Sequence, residues 1–308
     1  MSSFGWGLLG FLVIMLLFPD YAHADLRVDI PLFVKQGNYF RVDIEKEGSQ
    51  ARAGEFLVRF CVTDCKEFKS FPTTLNGRHV VLVPVAVDEK PQTASLKVFG
   101  DFEALISSIE IKKSDFPVAA GITIVRQPTT AVKRRRAREL KTLENIYTNE
   151  IHARYFDEDL KFAHPLAKLE VRSQFGEIRR KKMFDKKIGW IDWADYHKGI
   201  DFRAPTGTKV FAVESGVIRV AQNWSGSGNT IILDHGHGLL SFYFHLSRIR
   251  VKEGQKVKRG NIIGSAGRSG NAHGSHLHFE IRLHEIPVNP LEFLARPVEN
   301  GRSGGGAR

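Results

Sequence analysis

Four runs in the first third of the chain, at residues 40–44, 56–62, 79–85 and 94–98, are rich in β-branched and aromatic residues. They partly alternate with polar ones, as in Phe40-Arg41-Val42-Asp43-Ile44. A period of two, punctuated by Gly and Pro, predicts short half-buried strands, and residues 25–126 are expected to form a β-sandwich. The period changes after Ala131. Leu143, Ile146, Tyr147 and Ile151 fall at i, i+3, i+4 and i+8, the stripe of an amphipathic helix within a linker at 127–164. That stripe must be buried against one of the two flanking units. Alternation returns at 208–220, 229–233, 240–245, 261–266 and 276–283 between Gly-rich turns, which predicts an antiparallel sheet across 165–296. The expected class is therefore mainly β: a sandwich, a connecting helix and a C-terminal antiparallel sheet. Residues 297–308, rich in Gly with Arg and Ser, carry no such pattern and are expected to be disordered.

Candidate chemistry is regional. Eight of the twelve histidines lie between His197 and His284. His197-Lys198-Gly199-Ile200-Asp201, with His276-Leu277-His278 further on, supplies imidazole nitrogens and a carboxylate, the donor set that holds Zn²⁺ with one position open. An open position lets the metal bring the pKa of water to about 7. On a strand, His276 and His278 share a face at roughly 6.6 Å spacing. An extended His197–Asp201 segment would keep its two ends too far apart to chelate together, so the chain has to bend near Gly199. Residue spacing does not separate His276 from His278 as the ligand. His245, in the apolar run Tyr243-Phe244-His245-Leu246, reads by itself as a core histidine between aromatic neighbours before it reads as a functional one.

The surrounding blocks carry a resemblance. Asn229 to Gly238, Tyr243 to Leu246, Val251 to Val257, Gly260 to Gly267, and Ser269-Gly270 through Gly274-Ser275-His276-Leu277-His278-Phe279-Glu280 occur in one order. Over about 165–295 they resemble the lysostaphin-like, or LytM-type, zinc metallopeptidases that cut peptide bonds in bacterial peptidoglycan. The resemblance implies that His197, Asp201 and His278 hold one zinc ion, with His245 and His276 beside the water. It implies no catalytic place for His235, His237, His273 or His284, which are expected in loops or at the surface, His237 and His273 within reach of the cleft. One departure stands out: the segment from Arg179 to Asp195 is longer and more basic than the loop usual before the first ligand. Its Trp190, Ile191 and Trp193 suit either lining the groove or packing the loop onto the sheet. The sandwich resembles, more loosely, the immunoglobulin-like domain that often precedes this peptidase in secreted members.

The front of the chain reads as an export signal over 1–24, with an apolar core from Trp6 to Phe18 and the small-x-small pattern Ala22-His23-Ala24. An uncleaved anchor is the other reading, and neither suits a cytosolic enzyme; the periplasm is the expected setting, the extracellular space the alternative. Cys61 and Cys65 are too few for a disulfide scaffold or a cysteine zinc site, and are expected to close a small loop. Lys and Arg exceed Asp and Glu by 45 to 34. A basic surface favours polyanions, but no nucleic-acid-binding motif accompanies it, so wall stem peptides with their free carboxylates are the expected partner and nucleic acid is not. The basic run Lys133-Arg134-Arg135-Arg136 reads as a solvated helix face. Two competing functions remain, an adaptor without hydrolysis that regulates another wall hydrolase, and an enzyme whose groove is covered by its N-terminal domain or by the 179–195 segment. The expected bond is the D-Ala–diaminopimelate cross-link.

Overall fold

The computed structural model describes residues 11–13, 26–46, 56–72, 78–99, 104–149, 151, 153–157 and 159–294. The expected leader, apart from 11–13, and the expected tail at 297–308 lie outside them. Two five-stranded sheets form the N-terminal sandwich. One runs Phe11–Val13, Leu26–Pro31, Tyr39–Lys46, Arg78–Pro84, Phe71–Pro72; the other runs Phe33–Lys35, Ala104–Lys112, Gln92–Phe99, Leu57–Cys61, Cys65–Lys69. Alternation works as expected here: Val42, Ile44, Val81 and Val83 of the first sheet meet Val58, Phe60, Leu96, Val98, Ile109 and Ile111 of the second in one buried core. Cys61 and Cys65 face each other across their hairpin and are joined by a disulfide, with Cα atoms 4.0 Å apart.

Strand Arg78–Pro84 departs from alternation for a reason. His79 to Pro84 are all buried, because Val81 and Val83 face the sandwich core while Val80 and Leu82, with Phe71, enter the core of the C-terminal unit. A strand covered on both faces needs a continuous apolar run. Tyr39 stacks on Phe293 at 4.6 Å and Phe71 meets Phe156 and His237 at 5.4 and 4.8 Å. The two units thus share a hydrophobic seam.

One strand leaves the sandwich ahead of the expected boundary at 126. Val118–Ile124 pairs in parallel with Ile178–Asp185, which pairs with Gly189–Tyr196. Val118, Ile122 and Ile124 are exposed and add nothing to the sandwich core. The segment expected as a loop at 179–195 is therefore a hairpin in a three-stranded sheet. Helix Thr130–Thr148 follows, capped by the Thr129 side chain. It is shorter than the periodic stretch, so Ile151 falls beyond it. Its Ile146 is buried, with Leu143 and Tyr147 beside it, against Val220, Trp224, Ile232, Leu240 and Phe242.

The C-terminal unit is built on an antiparallel sheet in the order Val171–Ser173, Ile200–Arg203, His276–Leu283, Leu239–Leu246, Gly228–Asp234, Gly216–Trp224, Lys256–Val257, with Ile286–Val288 added beside His276–Leu283. One face carries Leu277, Phe279 and Ile281 into the main core; the other carries His276, His278, Glu280 and Arg282. The helix packs on this second face. The described part of the sandwich meets the far end of these strands, at His237 and His284. The expectation that the sandwich covers the groove is thus corrected: its apolar surface seals a core seam at the end remote from His276.

Candidate metal centre

Register brings the first two candidates together. Asp201 and His278 are direct partners across adjacent strands, so their side chains share a face. His197 precedes strand Ile200–Arg203, and the chain does bend at Gly199. A Cβ at Gly199 would lie 2.4 Å from the Phe279 carbonyl oxygen and 3.0 Å from His278 Nε2, so only glycine allows this approach. The bend places His197 Nε2 3.1 Å from Asp201 Oδ1 and 3.0 Å from His278 Nδ1, while His278 Nδ1 lies 2.7 Å from that same oxygen.

Hydrogen bonds on the outer side fix what the inner atoms can be. His197 Nδ1 donates to the Gln174 carbonyl at 2.7 Å and His278 Nε2 donates to Glu280 at 2.9 Å. Each neutral ring then turns a lone pair inward. Two imidazole lone pairs and a carboxylate oxygen, all within 4.8 Å of one another, converge on one point. Three acceptors facing each other require a cation between them. The set fits one zinc ion, and carboxylate support behind a ligating imidazole is the usual arrangement.

Charge agrees. Burial works to lower the pKa of His278, but hydrogen bonds to Asp201 and Glu280 outweigh it and raise it to about 9. Burial alone would raise Asp201, yet hydrogen bonds with His197 and His278 hold its carboxyl far below the ordinary range. The cage attracts positive charge, whether proton or metal ion.

The other two candidates stand beside the three. His276 Nδ1 donates to the Gly274 carbonyl at 2.8 Å, and His245 Nδ1 donates to the Ser269 carbonyl at 2.9 Å. Both therefore keep an Nε2 lone pair. His276 Nε2 is 3.7 Å from Asp201 Oδ1, and the His245 ring lies 4.9 Å from that of His276. Strand alternation alone would aim His245 into the main core. Instead, two residues, Phe244 and His245, oppose the single Thr230 between the pairs Tyr243–Ile231 and Leu246–Asn229. This bulge puts His245 at a left-handed φ of 60° and turns its ring onto the face of His278. Burial pushes His245 down to about 4, opposed by its bond to the Ser269 carbonyl.

Several contributors escaped residue-by-residue reading. Glu280 lies two positions beyond His278 on the same strand, and that period-two step was the available signal. Behind it Arg282 Nε binds Glu280 at 2.8 Å, and Arg282 Nη1 donates to the Tyr147 hydroxyl at 3.0 Å. The connecting helix thus ends a buried chain that starts at a candidate ligand. Arg179, from the hairpin, donates to Asp201 Oδ2 at 3.0 Å, leaving Oδ1 for the cluster. Phe244 stacks on the His278 ring, centroids 5.3 Å apart. No local sequence pattern announces Arg179 or Tyr147.

Among the remaining histidines, His235 lies as expected in a loop, between strands Gly228–Asp234 and Leu239–Leu246, but it is fully buried there, Nδ1 bonded to the Ser215 carbonyl at 2.7 Å and Nε2 to Ser241 Oγ at 2.9 Å. Burial lowers it to about 4. His237 lies at the seam with Phe71, away from the cleft. His273 is exposed, and His284 meets Phe68 at the seam.

Comparison with known proteins matches residues 195–290 to the sequence model of peptidase family M23. Peptidoglycan DD-endopeptidase ShyA of Vibrio cholerae is 42% identical over 96 residues, covering 31% of this chain and 22% of that protein. DD-carboxypeptidase/endopeptidase Mpg of Neisseria meningitidis is 42% identical over 95 residues, again 31% of this chain and 22% of the relative. The chain thus spans about a fifth of these curated relatives. A crystal structure of a candidate peptidase M23 from Pseudomonas aeruginosa, 23% identical, covers 84% of this chain and 94% of its own with a TM-score of 0.62. The fold is shared across both units.

Proposed function

Residues 195–290 form a domain of peptidase family M23, and from that premise we propose that the chain is a zinc endopeptidase that hydrolyses peptide cross-links in bacterial peptidoglycan. The observation that carries the reading is the convergence of three acceptor atoms, from His197, Asp201 and His278, on one point beside two further imidazoles. Those three residues would hold the ion. When bound, Zn²⁺ supplies Lewis-acid activation of water and of the scissile carbonyl.

The chain's own residues do the rest. His245 and His276 present their Nε2 atoms on one side of the cluster, where each can take a proton from the attacking water and return one to the leaving amine. Burial favours the uncharged His245 ring, the form that can accept a proton. Arg179 orients Asp201 through its outer oxygen, and Glu280 holds the His278 ring. An adaptor that had lost its chemistry would have no need to keep all five positions filled, so hydrolysis is favoured over that alternative.

The bond proposed is D-Ala–diaminopimelate, on stem peptides in the periplasm, reached by export through residues 1–24. Similarity to ShyA, a peptidoglycan DD-endopeptidase, and to Mpg, a DD-carboxypeptidase/endopeptidase, supports the substrate class. The test is digestion of purified sacculi with the zinc-loaded chain, with mass spectrometry of the new termini. New D-Ala carboxyl and diaminopimelate amino termini are expected. Release of intact stem peptides from the glycan would instead mean an amidase and overturn the assignment.

A further inference from the structure

The three-stranded sheet formed by Val118–Ile124, Ile178–Asp185 and Gly189–Tyr196 has a surface that the metal centre does not explain. Among the described residues, half of the fourteen exposed large apolar side chains sit on it: Val118, Ile122, Ile124, Phe184, Ile188, Trp190 and Trp193. Paired residues in neighbouring strands project to the same side. Register therefore gathers Ile122, Ile124, Phe184 and Trp190 on one face, with Arg180 and Lys182 between them. Ile124 is 69% and Trp190 56% exposed, and no described element covers this face.

Its charge is mainly positive. Arg180 and Lys182 share the face with one carboxylate, Asp192, which pairs with Lys182 at 3.6 Å, and Lys186 and Lys187 flank Ile188 at the turn. Lys182 lies over the Trp190 ring at 5.9 Å. Gln127, just before the helix, binds Asp185 at 2.7 Å, and so brings the exposed Lys133, Arg134 and Arg136 of the first helical turns to the same end. An isolated apolar patch of this kind marks an interaction surface.

We infer that this face docks on an anionic lipid surface. Aromatic and aliphatic side chains enter the headgroup boundary while surrounding lysines and arginines meet lipid phosphates, the arrangement of an interfacial anchor. A glycan strand fits less well, since isoleucines and lysines flank the rings where hydroxyl groups would need amide and carboxylate partners. The opposite face of the sheet carries Arg179, which reaches Asp201. Docking therefore turns the histidine cluster away from the lipid. The inference does not depend on the hydrolytic reading.

The test reads the tip directly in the full chain. Ile188→Cys takes an environment-sensitive fluorophore, the Cys61–Cys65 disulfide keeping those sulfurs from reacting; Leu291→Cys, an exposed site elsewhere, is the control. The Ile188 label is expected to shift to the blue on phosphatidylglycerol-containing vesicles and not on phosphatidylcholine vesicles, while the control stays silent. Combining Lys182→Gln, Lys186→Gln and Lys187→Gln should weaken that signal's apparent affinity roughly a hundredfold, at about fivefold per charge near an anionic surface. A melting curve shows whether the variant is folded. No shift at Ile188, an equal shift on neutral vesicles, or a shift produced by sacculi or by raised protein concentration without vesicles would overturn the inference.

Discussion

The sandwich and the C-terminal unit are both largely antiparallel β structures, yet they bury different things. Of the thirteen buried polar or charged residues among those described, the sandwich holds two, Ser70 and His79, bonded to each other at 3.2 Å. The C-terminal unit holds the other eleven, including Asp201, Glu214, Asp234, Glu280 and the four histidines 197, 235, 276 and 278. Burying a charge is costly unless it is paired and hydrogen-bonded. A core that needed only stability would resemble the sandwich. In the C-terminal unit Asp234 and Glu214 are paired with Arg219 and Arg259, whereas Asp201, Glu280 and histidines 197, 276 and 278 gather around one site that attracts positive charge.

Removing a member of the charged cluster is the hardest test of that contrast. Asp201→Ala leaves His197 and His278 without their shared acceptor, and is expected to abolish stoichiometric zinc, by metal analysis, and all release of wall fragments. Full zinc content in a folded variant would refute the ligand set. His245→Ala sharpens the division between ligands and proton carriers. It should retain zinc and lose about 10²–10⁴-fold in kcat, the size of a general acid–base contribution. Loss of metal together with activity would make His245 a support of the cluster.

The two regions were also unequally legible. Alternation marks the sandwich runs as half-buried strands and the Gly-punctuated runs after residue 200 as an antiparallel sheet, because each strand's own side chains decide which face is buried. The helical stripe was visible for the same reason. What depended on distant segments was hidden. Nothing local to 178–196 says that it pairs with 118–124, and its polar, basic composition read as a loop. The donor set around His197, Asp201 and His278 was visible, but spacing alone could not choose between His276 and His278. Register sets His278, and not His276, directly opposite Asp201. His245 reaches the site through a bulge opposite Thr230, which no period reveals.

A third prediction concerns the seam. Phe71 belongs to a sandwich strand but is buried among Val80, Leu82 and Phe156 in the C-terminal core. Phe71→Ala is expected to destabilise the chain by about 3–5 kcal/mol, the range for a buried aromatic truncated to alanine, with zinc content retained at low temperature. For the same reason residues 160–308 alone should melt well below the full chain. Unchanged melting of both would mean that the seam contributes nothing to stability.

The smallest effect tests how far the charged network extends beyond the ligands. Glu280 receives the His278 Nε2 proton and is held in turn by Arg282 and, through it, Tyr147. Burial alone would raise the Glu280 carboxyl, but the neighbouring Arg282 and His278 bring it down to about 2. As a carboxylate it fixes the ring with Nδ1 facing the cluster. Glu280→Gln keeps size and one acceptor but removes the charge, and its amide can donate toward the ring. Zinc affinity, measured by chelator competition, is expected to fall about 10–100-fold, the usual cost of losing such a partner. Tyr147→Phe removes only the outermost bond and should cost less than this. If Glu280→Gln binds zinc as tightly as the parent chain, the buried Glu280–Arg282 pair belongs with packing, and the contrast between the two cores narrows to the five residues around the histidine cluster.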